Sequence, residues 1–372
     1  MTRALLITAV WLSGFIYAGR PLLVGAAAAG VAPSVAWSGL IFVSFLPMLP
    51  LAMRRREIPV HRGFAHWTGY VTLAFFSTLF VLVILGDLVR LAYDGVRWIL
   101  PTYHWPLLDG RVMSLVILGA TVAFSLIGVL QARLPRTRRV KIAIENLPPE
   151  LEGYRIVQWS DVHVGPTIRG KFVQTLVDRT NALDADAVAI TGDLVDGPIE
   201  DLLQHVEPVR ELRARDGVFF ITGNHEYYWR APEWIRALES FGLVFLKNEH
   251  RVVSRGLVIA GVTDPAGRYT HKPDPAGALA GAPPDAIKVL LSHRPETARA
   301  ADRLGVHLQL SGHTHGGQMF PWNLMLRRFH FVQAGLRRIG RTWLYVNRGT
   351  GYWGPPSRLA VGGELTVIEL TK

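Results

Sequence analysis

The sequence predicts a layered α/β domain preceded by an all-α membrane domain of about four transmembrane helices. Three observations predict it: four long apolar stretches within the first 132 residues, five short apolar runs of strand type after them, and a small polar motif closing each run. The chain has 372 residues, thirteen histidines and no cysteine.

The apolar stretches lie near 4–28, 32–53, 67–86 and 112–132. Each approaches or exceeds the roughly 20 residues that cross a bilayer as a helix. Arg20-Pro21 interrupts the first and leaves a short clean segment from Ala4 to Gly19, so a cleaved signal peptide is its alternative. A lone Arg3 makes a thin basic start for such a peptide, and no sharp cleavage site follows. The chain therefore divides into a transmembrane domain, 1–139, and a second domain, 140–372.

Charge orients the helices. Arg54, Arg55, Arg56 and Arg62 follow the second stretch, and Arg133, Arg136, Arg138, Arg139 and Lys141 follow the fourth, whereas the opposite loops carry Arg20, Arg90, Arg97 and Arg111. Nine basic residues against four place the N-terminus, the 54–66 loop and the second domain in the cytoplasm, beneath the cell (inner) membrane. A cleaved first stretch would reverse this. The net charge of +11 is concentrated here too: residues 1–141 hold fourteen Lys or Arg against four Asp or Glu, a net of +10. With about +1 left for the remainder, the basicity faces lipid headgroups, and no nucleic-acid partner is expected. The lack of cysteine agrees with a reducing compartment and removes cysteine-based catalysis. No Gly-x-x-x-x-Gly-Lys-Ser/Thr loop is present for nucleotide-driven work.

In the second domain, each apolar run reads as a buried strand and stops at a polar motif. Tyr154–Trp159 leads to Asp161-Val-His163, Ala187–Ile190 to Gly192-Asp193, and Val218–Ile221 to Gly223-Asn224-His225-Glu226. Ile287–Leu291 leads to Ser292-His293, and Val306–Leu310 to Gly312-His313-Thr314-His315. The C-terminal ends of such strands converge on one rim of a sheet, where ligands of layered α/β folds bind. Asp, His and Asn side chains accept zinc, iron or manganese, and a pair of such ions binds phosphate and activates water. One such motif alone is an ordinary loop or cap; five in order imply a site. Helices are expected over 170–183, 199–214, 231–241 and 295–304, with a closing strand pair near 343–347 and 364–370. Residues 264–285, rich in Gly, Pro and Ala, read as a long surface loop, and the eight histidines outside the motifs as surface or structural residues.

The five motifs together resemble the calcineurin-like metallophosphoesterase family, which pairs D-x-H, GD, GNH[ED], a lone His and GHxH in this order, over roughly residues 140–372. The resemblance implies an α-β-β-α sandwich with two divalent, or mixed iron and divalent, metal ions such as Mn, Zn or Fe. It implies that Asp161, His163, Asp193 and His315 bind one ion, and that Asp193 bridges to a second completed by Asn224, His293 and His313. His225 would stand beside the metals and protonate the leaving oxygen. Gly316-Gly317-Gln318 resembles a membrane-associated bacterial subgroup, some members of which hydrolyse UDP-diacylglucosamine pyrophosphate and others of which are called phosphodiesterases. Gly197 stands where the family's protein Ser/Thr phosphatases carry arginine, which disfavours a phosphoprotein substrate.

The substrate expected is a lipid-linked phosphoester or pyrophosphate, cleaved directly by metal-activated water. Met319–Phe331, with Arg337, Arg338 and Arg341 close behind, has the aromatic and basic content of an interfacial segment, or else completes the core or packs on the transmembrane helices. Arg348 and Arg358 either bind phosphate or form ordinary ion pairs. Two alternatives remain: a membrane-anchored phosphodiesterase of soluble nucleotides, and a transporter or scaffold regulated by its soluble domain. Asp87 and Arg90, at the end of the third stretch, are the hint for the latter.

Overall fold

The structure of the protein, a computed structural model, describes residues 2–55 and 63–372. Arg56 and Arg62, part of the basic loop, lie outside the described residues. Two compact units emerge, one from residues 2–55, 63–129 and 355–357, the other from 130–354 and 358–372.

The first unit is helical: α1 (Thr2–Ala28), α2 (Pro33–Phe45), α3 (Met48–Arg55), α4 (Gly63–Ile99) and α5 (Gly110–Arg133). Four segments are long and apolar enough to cross a membrane, Leu6–Ala28, Pro33–Pro50, Phe64–Ile99 and Gly110–Arg133. The expected interruption at Arg20-Pro21 does not occur, since α1 runs through Pro21. Proline removes one N–H from the helical ladder. The carbonyl so released, that of Tyr17, accepts a hydrogen bond from Arg20 Nε instead, at 3.1 Å. The second stretch does break, between α2 and α3 beside Pro47, and the third runs past the expected 67–86. Asp87 accepts hydrogen bonds from Tyr17 Oη and Arg20 Nη2, both at 2.6 Å, so it ties α4 to α1. Asp87 thus has a structural use, the ordinary one for a charge near the end of a span.

The second unit holds two six-stranded mixed sheets. The strands are β1 (Arg136–Ala143), β2 (Arg155–Trp159), β3 (Ala187–Thr191), β4 (Val218–Ile221), β5 (Val244–Phe245), β6 (Glu249–Val252), β7 (Val258–Gly261), β8 (Lys288–Leu291), β9 (Leu308–Ser311), β10 (Gly335–Ile339), β11 (Thr342–Val346) and β12 (Glu364–Thr371). The orders are β1-β12-β2-β3-β4-β5 and β10-β11-β9-β8-β7-β6. Each has a run of parallel strands, β2-β3-β4-β5 or β11-β9-β8-β7, with antiparallel neighbours beside it.

Alternate side chains of each strand enter different layers. Ile156, Ala189, Phe219 and Ile221 join Ile259, Val289, Leu291 and Leu310 between the sheets. Val157, Trp159, Val188 and Phe220 turn outward onto helices α6 (Gly170–Asn181), α7 (Ile199–Val206) and α9 (Ala231–Ser240), through Val173, Leu202 and Trp234. On the far sheet, Ala260 and Leu290 meet α10 (Pro275–Leu279) and α11 (Ala298–Arg303), through Ala278 and Ala301. Coverage on both faces explains why β3, β4, β7 and β9 are buried throughout, and why β3, β4 and β7 read as almost wholly apolar runs. Two further short helices, α8 (Asn224–Tyr228) and α12 (Trp322–Leu326), complete the fold.

Three expectations change. Arg136, Arg138, Arg139 and Lys141 belong to an edge strand, β1, that pairs with β12 from Arg136 onward, and Arg138 and Lys141 reach Glu364 and Glu369 at 3.6 and 3.3 Å. The closing strands are no pair: β11 joins β9 in one sheet and β12 joins β2 in the other. The 264–285 loop contains α10, and its first residue is buried, with Asp264 Oδ2 2.9 Å from Arg294 Nε.

Candidate metal centre

The five motifs follow β2, β3, β4, β8 and β9, and the fold brings them to one rim. Asp161, His163 and His315 offer ligand atoms within 4.8 Å of one another, as do Asp193, His293 and His313. A third group, His163, Asp193 and His225, links them. His163 Nε2 lies 3.0 Å from His315 Nε2, and Asp193 Oδ2 lies 3.2 Å from His293 Nε2 and 3.9 Å from His163 Nε2. His313 Nδ1 faces His293 Nε2 at 3.2 Å. His293 Nδ1 donates to the Thr191 carbonyl at 2.9 Å, which fixes the ring with Nε2 turned toward Asp193 and His313.

The backbone has been bent to present these groups. Asp161, His163, Asp193, His313 and His315 all have φ between 51° and 71°, the left-handed region that costs a side-chain-bearing residue roughly 1–2 kcal/mol. Two motif glycines make room: a Cβ at Gly223 would strike the Asp193 carboxylate, and one at Gly312 would strike Ser160 Oγ and the Asp161 carboxylate.

The donor set fits a metal pair. Asn224 is buried, and its Oδ1 has no hydrogen-bond partner among the described residues. An unpaired buried oxygen is costly unless something positive meets it. A cation at this cluster of oxygen and imidazole donors would do so.

Residues 154–317 match the family model described as calcineurin-like phosphoesterase. Over 345 residues the chain is 31% identical to an uncharacterized metallophosphoesterase of Campylobacter jejuni, covering 90% of this chain and 89% of that one. The chain belongs to the calcineurin-like phosphoesterase family. It is also 36% and 37% identical to proteins of Danio rerio and Bos taurus named transmembrane protein with metallophosphoesterase domain, over 70% and 67% of its own length. It spans about three fifths of the length of those two relatives.

In this calcineurin-like chain several residues support the motifs without having been singled out by them. Glu226 accepts from the backbone N–H groups of Gly223, Asp193, Leu194 and Val195 at 2.7 to 3.2 Å, clamping the loop after β3 to that after β4. Burial and the nearby Asp193 charge push its carboxyl up to about 7, against the N–H donors that favour the anion. Asp196 Oδ1 lies 2.8 Å from His225 Nδ1 and also accepts from Trp229 Nε1 at 3.0 Å. Its signal was the second aspartate of Gly192-Asp-Leu-Val-Asp196. Arg358 forms no ion pair among the described residues. It is fully buried and donates to the carbonyls of Gly351 and His315 and to His315 Nδ1, at 2.9, 2.7 and 3.0 Å, orienting that ring. Arg348 is half-buried and lies 3.9 Å from Glu364.

Burial holds the imidazoles of His163 and His313 down to about 3, and that of His315 far below its ordinary range. His293 moves the other way: burial opposes its charge, but Asp193 outweighs that and lifts it to about 10. Asp161 rises to about 6, through burial and the Asp193 charge. Metal and protons therefore compete for this site, and affinity falls as pH falls. Protein dialysed at about pH 5 is expected to retain less metal than protein dialysed at about pH 8, as read by elemental analysis; equal content would contradict the competition.

Proposed function

We propose that the chain is a membrane-anchored, metal-dependent phosphoesterase that hydrolyses a phosphoester or pyrophosphate bond of a lipid-linked substrate at the cytoplasmic face of the cell's inner membrane. The observation that carries the reading is the Asp193 carboxylate standing between two donor clusters, with Asn224 Oδ1 unpaired. In this reading Asp161, His163, Asp193 and His315 hold one ion, and Asp193, Asn224, His293 and His313 the other. Mn, Zn or Fe suits the donors. Two bound cations supply Lewis acidity to the phosphoryl oxygens and lower the pKa of water.

The remaining steps belong to the protein. Asp196 takes the Nδ1 proton of His225 in a hydrogen bond and leaves Nε2 directed elsewhere. Burial lowers the pKa of His225, but Asp196 and Asp193 outweigh it, so the ring stays protonated above its ordinary range. His225 can then give a proton to the departing oxygen.

The spans, the last of which ends at Arg133, support a multi-pass protein with a transmembrane domain followed by the phosphoesterase domain, to which β1 already belongs from Arg136. The nine-to-four excess of basic residues supports the cytoplasmic placement. A lipid-linked substrate is supported by Phe320, Leu324, Met325 and Phe329, which are 40%, 58%, 54% and 78% exposed in the second unit. A soluble nucleotide substrate has one observation in its favour: the exposed rings of Tyr228 and Trp353 flank His225 at 5.2 and 5.7 Å, where a base could stack.

Purified full-length protein with added manganese decides between them. Detergent-dispersed lipid phosphodiesters and UDP-diacylglucosamine are compared with soluble nucleotides, with Asp193→Asn as the blank. Lipid turnover lost in the variant is the expected result. Turnover of nucleotides alone would make the helices a mere anchor, and turnover of neither would favour the scaffold.

A further inference from the structure

Beside the metal cluster, the second unit contains a cavity of about 370 Å³ in which none of the eight candidate site residues takes part. Arg327, Arg337 and Arg348 line it, together with Leu324, Phe331 and Val361, and no carboxylate does. Arg327 and Arg337 have no acidic partner among the described residues, and both are exposed. Arg348 has a distant one, Glu364 at 3.9 Å, and spends Nη1 on the Val361 carbonyl at 3.2 Å. Three arginines on one cavity wall, two of them without an acidic partner among the described residues, favour an anion, and their planar forks match the oxygens of a phosphate.

The surroundings narrow the choice. Leu324, on the cavity wall, is 58% exposed, and Met325 and Phe329 in the same segment are 54% and 78% exposed. Apolar side chains next to arginines suit a molecule whose phosphate carries a hydrocarbon tail better than a free phosphate ion. One wall is Gly316, the residue after His315, so the cavity adjoins the loop of the metal centre yet lies outside it.

We propose that this cavity is a second, non-catalytic anion site that takes the phosphate group of an anionic lipid, with Arg327 and Arg337 as its cations and the Leu324 to Phe329 segment as the support for the acyl chain. The site rests on the membrane reading above, but not on the reaction assigned to the metal centre.

The test is native mass spectrometry of the full-length chain in detergent, titrated with lysophosphatidic acid, with a neutral monoacylglycerol and with inorganic phosphate. Wild type and Arg327→Gln/Arg337→Gln are compared. Both replaced side chains are exposed, and a thermal melt checks that the variant folds. Lysophosphatidic acid is expected to bind the variant about tenfold or more weakly, while monoacylglycerol binding is unchanged, since each juxtamembrane cation contributes to holding an anionic lipid. Asp193→Asn, which is expected to lose its metal, is titrated beside them: lysophosphatidic acid binding that persists in it and is weakened by adding the two arginine replacements belongs to this cavity and not to the metal centre, so a failure of hydrolysis and a failure of this site are separable. Equal lipid affinity in wild type and the double variant would overturn the proposal. Inorganic phosphate binding as tightly as the lipid would overturn its lipid part and leave a plain phosphate site.

Discussion

Asp193→Asn is expected to abolish phosphoester hydrolysis and to strip metal from both halves of the site. The substitution keeps the shape of the side chain but replaces one carboxylate oxygen with an NH2 group, a donor that cannot ligate a cation. Oδ2 is the atom within 3.2 Å of His293 Nε2 and 3.9 Å of His163 Nε2, so it faces both clusters. Oδ1 accepts the His225 backbone N–H at 2.8 Å, so the same carboxylate also seats the residue proposed as the acid. The loss should exceed the roughly 10–100-fold that removal of a merely supporting partner costs a metal site. Elemental analysis beside a hydrolysis assay checks it: a variant that kept two ions per chain would show that Asp193 does not bridge.

His225→Ala separates chemistry from metal binding. If His225 donates a proton rather than ligating, the alanine variant keeps its metal and slows by roughly 10²–10⁴-fold, the range for a positioned general acid. The deficit should be steepest for esters with poor leaving groups, which need the proton most, and shallow for nitrophenyl esters. Asp196→Asn should give a milder version of the same pattern, because the ring remains but loses the carboxylate that holds Nδ1 at 2.8 Å. Metal loss in His225→Ala equal to that in Asp193→Asn would refute the role.

Short-range signals were legible in the sequence, and long-range pairings were not. The helices expected over 170–183 and 231–241 appear as α6 and α9 because their apolar spacing is local and strong, with Val173, Leu176 and Val177 on one face of the first. The motif residues stand together because each is attached to a strand end, a relation visible in the order of apolar run and polar stop. β1 was hidden because Arg-Thr-Arg-Arg-Val-Lys-Ile-Ala has the look of a charged exit; as an edge strand its charged residues are exposed, and only Ile142 is buried. That β12 inserts between β1 and β2 depends on contacts more than 200 residues apart, which no window of sequence displays. Glu226 stood inside a quoted motif, yet its work is on the backbone of another loop, and residue type alone does not name that target.

Five of the twelve described non-glycine residues with positive φ are metal-motif residues, so the catalytic rim answers to a demand that folding alone does not set. Glycine would enter that backbone region without a steric cost, so a chain shaped by folding alone has an easier choice at each position. Asp161, His163, Asp193, His313 and His315 keep their side chains there nonetheless. The surrounding sheets supply enough cohesion to hold those loops in place, and the protein carries a standing loss of stability as the condition of having a reactive surface at all.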